Sequence, residues 1–542
     1  MMQWLKSGNL HKAGLAAIVA VYLLYAGLFI WRTSVVVQVA EGVSERYFVL
    51  FDDAMISMRY ARNLAQGYGL VWNPGGERVE GYTNPLWVLW MAGIHLLPVP
   101  EAQISLVVQI SGLVFLTLNL LCVDRLARLI SGVPWVGLAA AALTAFYYPL
   151  NVWSLEGMET SLQTLVITLA LWMTVTGLRK GGVSPWLYLL LGVGTLLRMD
   201  MAVPLVLIVG FLALVDRQHR WRHVAWGLAM LALFVGGQTL LRYLYYGDLL
   251  PNTYYLKMSG YPAVLRILRG AYIFLLFAGR LNWVLLLLPV AILLVRRSRE
   301  TALLALIFAG QIAYSIYVGG DAWEHQGGAN RYIAVAIPAF FILFADALEQ
   351  IRAGANQVFA SVHRIQVVTA GSMAVFLVSS FFNFNALLGP ESWERLILKK
   401  SPLFSASAQE YLRQSMTMLQ ITTEDATLAT IPAGALPYFT DRYWIDLFGK
   451  CERHIARVEV RIGRDIRNIS NFRPGHVKWD YEYVLEEYKP DVILHVYGDM
   501  TDIQPILDAE YIYVEVNTDS FYVRRDSPYI LWDAISLDAS EP

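Results

Sequence analysis

The polar stretch from Phe48 to Trp87 holds the residues best suited to chemistry, because it places two adjacent carboxylates, Asp52 and Asp53, after the first long apolar segment. A carboxylate within hydrogen-bond reach of a hydroxyl can take its proton as a new bond forms. The pair therefore predicts a general base. A structural alternative stays open, since an aspartate ahead of a helix starting near Ala54 also suits an N-cap. A metal role stays open too, although no other ligand set is visible.

The composition indicates that these acids belong to an integral membrane protein. Hydrophobic residues make up 56% of the 542 residues, and 16% are charged, which is more apolar surface than a soluble chain could bury. The net charge of −1 gives no support to nucleic-acid binding. The two cysteines, Cys122 and Cys451, fall in different regions without a metal-ligand cluster around either.

The apolar segments predict about eleven spans, although several are shorter than the roughly 20 residues that a perpendicular span needs. Every second connection is basic, beginning with Lys6 and Lys12, which is the positive-inside pattern. The N-terminus is then inside and the C-terminus outside, and the first segment is a retained anchor. The predicted spans are 13–31, 102–123, 134–149, 158–177, 185–197, 201–216, 223–243, 281–296, 301–318, 331–348 and 366–383.

Shorter apolar stretches at 54–65, 86–97 and 261–277 predict helices lying along the membrane surface. From residue 385 the composition becomes that of a soluble protein. Patterning there predicts strands at 427–431, 491–496, 511–516 and 521–524, and helices at 406–419 and 481–487. We therefore expect two domains, a membrane domain over 1–384 and an outer α/β domain over 385–542.

Several stretches carry a resemblance to one family. DDAMISMRYARNLAQGYGLVWNPGGERVEGYTNPLW at 52–87 is similar to the first outer loop of polyprenyl-phosphate-dependent glycosyltransferases of the GT-C fold. Within that class the chain resembles the terminal arabinofuranosyltransferases of mycobacterial arabinan and related pilin arabinosyltransferases. Other stretches that carry the resemblance are SLEGMETSLQTL (154–165), YGDLLPNTYYLK (246–257), GGDAWEHQGGANRY (319–332) and ATIPAGALPYFTDRYWIDLFGK (429–450). The chain departs from its relatives at 199–200 and at 324–326.

The resemblance implies a polytopic α-helical GT-C membrane protein that moves a sugar from a polyprenyl phosphate to an acceptor hydroxyl on the outer face. The resemblance favours D-arabinofuranose as the sugar, so the donor would be decaprenyl- or undecaprenyl-phospho-arabinofuranose. The acceptor would be an envelope glycan or a pilin-type surface protein. The implied location is the bacterial inner membrane, with the active site and the C-terminal domain extracytoplasmic. Asp53 becomes the preferred base and Asp52 the second candidate, with no metal assigned.

The same resemblance implies a donor site of cations and polar groups. A departing phosphate gains charge that fixed cations stabilise, and Lys257, Arg198 and Arg331 stand at outer boundaries. Basic residues at helix ends also commonly reach for lipid headgroups, and Arg198 could simply pair with Asp200. The remaining candidates for holding the sugar or phosphate are Asn252, Tyr254 and Glu80, although the turn around Glu80 also suits a purely structural role.

A later outer loop could form one wall of the acceptor site. It contains Asp321, Trp323, Glu324 and His325, and the indole of Trp323 could stack on a sugar. His325 is interpreted as a hydrogen-bonded loop residue in preference to a metal ligand.

Other functions stay open at this point. The chain could transfer a different lipid-linked sugar, or it could be a transporter or flippase for one, or a scaffold in an envelope complex. A transporter is expected to show internal repeats and charges near the middle of the membrane. The sequence shows no repeat, and its polar residues gather in the loops of one side.

Overall fold

The computed structural model describes residues 7–40, 42–296, 298–324, 328–358, 363–461, 469, 472–498, 500–517 and 519–535. These residues are mainly helical. The α-helices up to residue 246 are α1 (Ser7–Thr33), α2 (Asp52–Ala65), α3 (Pro85–His95), α4 (Glu101–Ser131), α5 (Pro134–Ala145), α6 (Tyr148–Leu155), α7 (Thr160–Lys180), α8 (Trp186–Leu197), α9 (Ala202–Val215), α10 (Arg220–Met230) and α11 (Gly237–Tyr246).

Twelve α-helices follow in the described part of the chain. They are α12 (Asn252–Met258), α13 (Ala263–Leu281), α14 (Trp283–Arg296), α15 (Arg299–Val318), α16 (Arg331–Ala334), α17 (Ile337–Val358), α18 (His363–Asn385), α19 (Ser392–Leu396), α20 (Ser405–Ile421), α21 (Ala435–Thr440), α22 (Tyr481–Tyr483) and α23 (Gln504–Glu510). The strands are β1 (Val35–Ala40), β2 (Val43–Tyr47), β3 (Thr427–Thr430), β4 (Tyr443–Asp446), β5 (Val492–Ile493), β6 (Tyr511–Val516) and β7 (Asp519–Arg524).

Several of these helices are membrane spans by length and composition. In the described part of the chain, six helices are long and apolar enough to cross a bilayer, or up to eight if each of two bent helix pairs is one span. The protein is therefore a multi-pass membrane protein, but the predicted count of about eleven spans is not confirmed. The predicted spans 185–197 and 201–216 form α8 and α9, which have 12 and 14 residues and are short for a perpendicular crossing.

Backbone contacts group the chain into two compact units. The first unit comprises Met1–Ile30, Gln109–Gln238 and Ala263–Pro402. The regular secondary structure of its described residues is all helical, with α17 packed against α5, α13 against α15, and α7 against α8. Aromatic side chains fill part of its interior, since Phe344 and Phe384 lie 5.1 Å apart between ring centroids and are both buried.

The second unit comprises Trp31–Val108, Thr239–Pro262 and Leu403–Pro542. Its main sheet has the strand order β4-β3-β5-β7-β6, in which β3 is parallel to β4 and β5, while β7 is antiparallel to β5 and β6. A buried core that includes Ile445, Val484, Ile493 and Leu507 stabilises this sheet. Within the same unit α2 packs against α3 and α21.

The secondary structure predicted for the C-terminal region is largely confirmed. Three predicted strands correspond to β3, β6 and β7, and the predicted helix 406–419 is α20. The strand predicted at 491–496 is shorter, since β5 covers only Val492–Ile493. Strand β4 was not predicted, because its four residues give too short a pattern. The predicted domain boundary at residue 385 stays a prediction.

Arginine side chains on α2 bind the C-terminal part of the second unit. Arg59 is 1% exposed, and it donates to the carbonyl oxygens of Trp72, Pro437 and Arg442 and to the side-chain oxygen of Asn73. Burial, followed by the charge of the neighbouring arginine, lowers the pKa of Arg59 to about 9. The guanidinium thus binds four oxygen atoms. Two of them have a second donor, since Trp72 also accepts from Asn63 and Asn73 from the backbone N–H of Trp444.

Replacing Arg59 by Leu should therefore destabilise the protein strongly. Loss of its hydrogen bonds strands the buried carbonyl groups of Pro437 and Arg442, each at a cost of about 1–3 kcal/mol, so we expect a loss of at least about 2 kcal/mol. The thermal denaturation midpoint of the purified protein in detergent measures this loss. The control is Arg413→Leu, which removes an exposed ion pair with Glu410 on α20 and should have little effect. Equal midpoints for the two variants would contradict this account.

Candidate active site

The acidic pair begins helix α2. The helix starts at Asp52, two positions before the expected start, and its N-cap residue is Phe51, with no side-chain capping bond. The N-cap role considered for these acids is therefore wrong. Both carboxylates lie in the first turn, where the helix dipole stabilises negative charge. Adjacent helical positions point in different directions, and consequently Asp52 and Asp53 have different partners.

Asp52 holds a turn of the C-terminal region. Its Oδ1 accepts hydrogen bonds from the backbone N–H groups of Gly434, at 3.2 Å, and Ala435, at 2.9 Å, at the start of α21. Burial raises the pKa of Asp52 to about 6, against the opposing effects of Lys450 and of these two N–H groups. Position 434 requires glycine, because a Cβ atom there would overlap the backbone carbonyl of Asp52. The carboxylate of Asp52 thus has a structural role, since it holds the turn at 434–435.

Asp53 has a different partner, the side chain of Lys450. The Nζ atom of Lys450 donates to Oδ1 of Asp53 in an ion pair. The two side chains keep 10% and 12% of their surface exposed, so the pair is largely withdrawn from water yet still accessible. Burial lowers the pKa of Lys450, but the charges of Asp53 and Asp52 outweigh that effect and raise its pKa overall.

The loop that carries Lys450 is built around a buried carboxylate. Asp446, at the end of β4, accepts from the backbone N–H groups of Phe448 (3.0 Å), Gly449 (3.2 Å) and Cys451 (2.8 Å). Gly449 has a φ of 73°, which suits glycine. These contacts direct the side chain of Lys450 toward α2.

Asn252, at the start of α12, binds the same loop from its other side. Its side-chain nitrogen lies 2.9, 3.1 and 3.0 Å from the carbonyl oxygens of Gly449, Lys450 and Glu452. Its side-chain oxygen accepts from Arg457 at 2.8 Å. Asn252 was predicted to hold sugar or phosphate. In the structure its amide has these protein partners instead. They position the loop of residues 446–452, which is called the lysine loop below.

Lys257, on the same helix, belongs to a basic region around His476. Its aliphatic chain lies against Gly475, where a Cβ atom would be 3.0 Å from its Cγ. Burial, then the charges of Lys450 and Lys257, lower the pKa of His476 to about 3. His476 is therefore neutral at neutral pH, and Lys257 and Lys450 act electrostatically on the same group. Tyr254, the neighbouring sugar-site candidate, is 40% exposed.

Glu80 is paired with Arg242. Both are buried, and the two oxygens of Glu80 accept from Nε and Nη2 of the arginine. Burial raises the pKa of Glu80, and the hydrogen bond and charge of Arg242 oppose this effect. The predicted sugar contact of Glu80 thus stays a prediction, and the residue already has a bidentate partner.

The first unit contains the two predicted phosphate-binding arginines. Arg198 binds Glu159 at 3.1 Å and Asp200 at 3.0 Å, so the ion pair with Asp200 considered from the sequence is present. Arg331 binds Asp321 at 3.1 Å. Each arginine therefore has a carboxylate partner. The two arginines also line one cavity of about 10 Å³, enough for a single water molecule.

The predicted acceptor loop is also drawn into ion pairs. Besides its bond to Arg331, the carboxylate of Asp321 faces the backbone N–H of Trp323 at 3.4 Å. Glu324 is buried and accepts from Arg269 at 2.9 Å. Trp323 remains partly exposed, as a stacking residue would require. His325 lies outside the described residues. The acceptor role of this loop stays a prediction.

Within the described ranges of the chain, no group of three or more His, Cys, Asp or Glu side chains is arranged to hold a metal ion.

The sequence did not single out Lys450 or His476. Lys450 ends the stretch 429–450 that carries part of the family resemblance, which is the one signal that pointed near it. It lies 397 residues from Asp53 along the chain, and no local pattern can predict a pairing over that separation.

Family models match two regions of the chain. Residues 84–237 match a family described as dolichyl-phosphate-mannose-protein mannosyltransferase. Residues 405–532 match a family described as a domain of unknown function, DUF8728. This region of the chain contains Lys450 and the main sheet.

A curated relative supports the resemblance. The chain is 26% identical over 367 residues to the terminal β-(1→2)-arabinofuranosyltransferase of Mycobacterium tuberculosis (strain ATCC 25618 / H37Rv). The match covers 60% of this chain and 56% of the relative, so the chain spans little more than half the length of that enzyme.

Solved structures share the fold over nearly the whole chain. ArnT from Cupriavidus metallidurans bound to undecaprenyl phosphate is similar, with a TM-score of 0.55 and 14% identity over 94% of this chain and 97% of that one. The oligosaccharyltransferase AglB from Archaeoglobus fulgidus, in complex with an inhibitory peptide and a dolichol-phosphate, gives a TM-score of 0.56 and 12% identity over 98% and 75%.

These comparisons confirm the resemblance to GT-C glycosyltransferases that was drawn from the sequence. The fold is the GT-C fold, with apolar helices followed by a C-terminal sheet region.

The pair formed by Glu80 and Arg242 yields a stability test. Glu80→Met and Arg242→Met should each destabilise the protein by about 3–5 kcal/mol, since either change leaves one buried charge without its partner. The double variant should lose less than the sum of the two, because it leaves neither charge buried. Thermal midpoints in detergent measure all three variants, and additive losses would contradict the pairing.

The raised pKa of Asp52 predicts a pH-dependent difference between wild type and Asp52→Asn. Between the ordinary aspartate pKa and about 6, the folded protein binds more protons at this group than the unfolded chain does. The group therefore lowers stability as the pH rises through that window. Asparagine still accepts the two backbone hydrogen bonds and does not titrate. The thermal midpoint of Asp52→Asn minus that of wild type should thus rise from about pH 4 to about pH 7, and a constant difference would contradict the assignment.

Proposed function

We propose that the protein is a membrane glycosyltransferase that moves a sugar from a polyprenyl phosphate donor to an acceptor hydroxyl. The GT-C fold, the match of residues 84–237 and the arabinofuranosyltransferase relative support this class of reaction. The observation that carries the proposal is the carboxylate of Asp53, which stays accessible beside Lys450 on a helix start held rigid by its neighbour. Such a group suits a general base for a hydroxyl nucleophile.

The roles of the two acids follow from their partners. Asp53 is the proposed base, because it accepts from the ammonium of Lys450, and the flexible stem of a lysine lets the ammonium change partners. Asp52 is the proposed positioning residue, because its contacts are backbone N–H groups of the 434–435 turn. Lys257 is a proposed phosphate contact, since it shares the electrostatic environment of Lys450 and His476. In the first unit, Arg198 and Arg331 stay candidates for the donor and the loop 321–325 for the acceptor.

The proposed sugar is D-arabinofuranose, which rests on the named activity of the curated relative. The donor would then be decaprenyl- or undecaprenyl-phospho-arabinofuranose, and the acceptor an envelope glycan or a pilin-type protein. The proposed location is the bacterial inner membrane with the acids on the extracytoplasmic face. The basic residues in alternate connections support this orientation, and a donor attached to lipid needs no soluble nucleotide sugar on that face.

A pair of single variants tests the assignment of the base. Asp53→Asn should lower the rate of sugar transfer by about 10²–10⁴-fold, the usual contribution of a general base. Asp52→Asn should lower it by less than about tenfold, because its amide oxygen still accepts the two N–H bonds. The measurement is transfer of labelled pentose from a synthetic polyprenyl phosphate donor by purified protein in detergent, with thermal midpoints as the folding control.

Opposite outcomes have clear meanings. A wild-type rate in Asp53→Asn would remove this residue from the mechanism, and a large loss in Asp52→Asn alone would exchange the two roles. The product class is tested separately by mass spectrometry of envelope glycans and surface proteins from cells with and without the gene. Loss of one pentose mass from either class supports the arabinofuranose proposal, whereas loss of a hexose mass replaces the sugar and keeps the reaction type.

A further inference from the structure

The region that matches a domain of unknown function contributes a charged side chain to the acid pair. Lys450 lies in that region and forms an ion pair with Asp53. The backbone of the loop around it is fixed. Asp446 accepts from three of its N–H groups, and the amide nitrogen of Asn252 lies within hydrogen-bond distance of three of its carbonyl oxygens. A lysine placed at an accessible carboxylate by so fixed a backbone needs a reason beyond solubility.

Close packing reinforces the position of this loop. A Cβ atom at Gly81 would lie 2.9 Å from the hydroxyl of Tyr60 and 3.1 Å from the carbonyl oxygen of Lys450. The first polar loop and the lysine loop therefore approach at backbone distance. The ammonium can swing about its flexible four-carbon stem, whereas the backbone that carries it cannot shift.

Carboxylates act on the ammonium of Lys450. Asp53 is its ion-pair partner, and the charges of Asp52 and Asp446 also act on it. Burial raises the pKa of both Asp52 and Asp446, so Asp53 is its principal negative partner. Protonation of Asp53 would remove that partner and make the ammonium available to another anion, such as a released phosphate.

We propose that Lys450 is a second catalytic residue of the transfer, pairing with Asp53 before the reaction and with the departing phosphate after Asp53 has taken the acceptor proton. This inference rests on the proposed function. In the step, the acceptor O–H bond breaks and its proton goes to the Asp53 carboxylate. The acceptor oxygen forms a bond to the anomeric carbon of the sugar. The bond from that carbon to the phosphate oxygen breaks, and its electron pair stays on the phosphate, which Lys450 binds.

The chemistry of lysine suits this exchange of partners. An ammonium is a compact point charge with three donors on a flexible stem, whereas a guanidinium binds one carboxylate in a planar fork. Other acids named above, such as Glu80 with Arg242 and Glu324 with Arg269, form buried ion pairs with arginine. The base is thus paired with the cation type that is easier to redirect.

The test uses the full-length protein in detergent and undecaprenyl phosphate as the probe, with Asp53→Asn standing for the protonated base. In this background Lys450→Met should weaken binding of the probe at least about tenfold, the effect of one lost charge-assisted hydrogen bond. Lys450→Arg should retain most of the affinity, because it keeps a cation. Lys489→Met is the matched control, since it removes an exposed lysine from the same region and should leave binding unchanged.

Each outcome decides a separate point. If Asp53→Asn/Lys450→Met binds the probe as well as Asp53→Asn does, Lys450 merely pairs with the base and the inference is overturned. If the Met variant does not fold, as judged by its thermal midpoint, Lys450→Gln takes its place in the same comparison. Sugar transfer by the wild type is measured in parallel. Transfer with unchanged probe binding overturns the role of Lys450 alone, whereas weakened probe binding without any transfer supports the phosphate contact and overturns the proposed transferase.

Discussion

The contact between the start of helix α2 and the segment 434–450 is the constraint on which the candidate site depends. Asp52 binds the turn at 434–435 through its side chain, and Lys450 reaches Asp53 from the loop after β4. Two neighbouring acids thereby acquire different environments. One is engaged by neutral N–H donors, and the other by a movable cation. The chemistry proposed for Asp53 requires this division, because a base must give up its resting partner while the scaffold around it stays in place.

Buried polar side chains keep that contact in register. Arg59 on α2 binds the carbonyl groups of Pro437 and Arg442 in that segment. Asn252 binds carbonyl groups of the lysine loop, and Asp446 binds its N–H groups. Each is a residue whose polar atoms would be costly to bury alone. The hydrogen bonds of these side chains make the contact specific, because a shifted register would leave several donors and acceptors without partners. A hydrophobic contact of the same area would tolerate such a shift.

The first unit pairs its charges in a different way. Arg198 and Arg331 each bind at least one carboxylate and share the wall of a cavity that holds about one water molecule. A phosphate that approached either arginine would have to compete with a carboxylate already in place. In the second unit, by contrast, the proposed proton transfer to Asp53 would itself release the cation. This contrast is why Lys450, a residue that the sequence did not single out, is proposed as the phosphate contact ahead of the arginines.

Composition and local pattern alone determined the membrane class, most helices and strands β3, β6 and β7, because periodic burial of apolar residues leaves a local signature. They also pointed to Asp52 and Asp53 as candidate catalytic residues, since adjacent carboxylates in a polar loop between spans are conspicuous. They could not separate the two acids. The family resemblance suggested sugar contacts for Glu80 and Asn252, which the folded protein pairs with Arg242 and with the lysine loop. Only the tertiary structure decided these partners and brought Lys450 to Asp53. Side chains hundreds of residues apart meet through the packing of the whole chain, and no short stretch of sequence records that meeting.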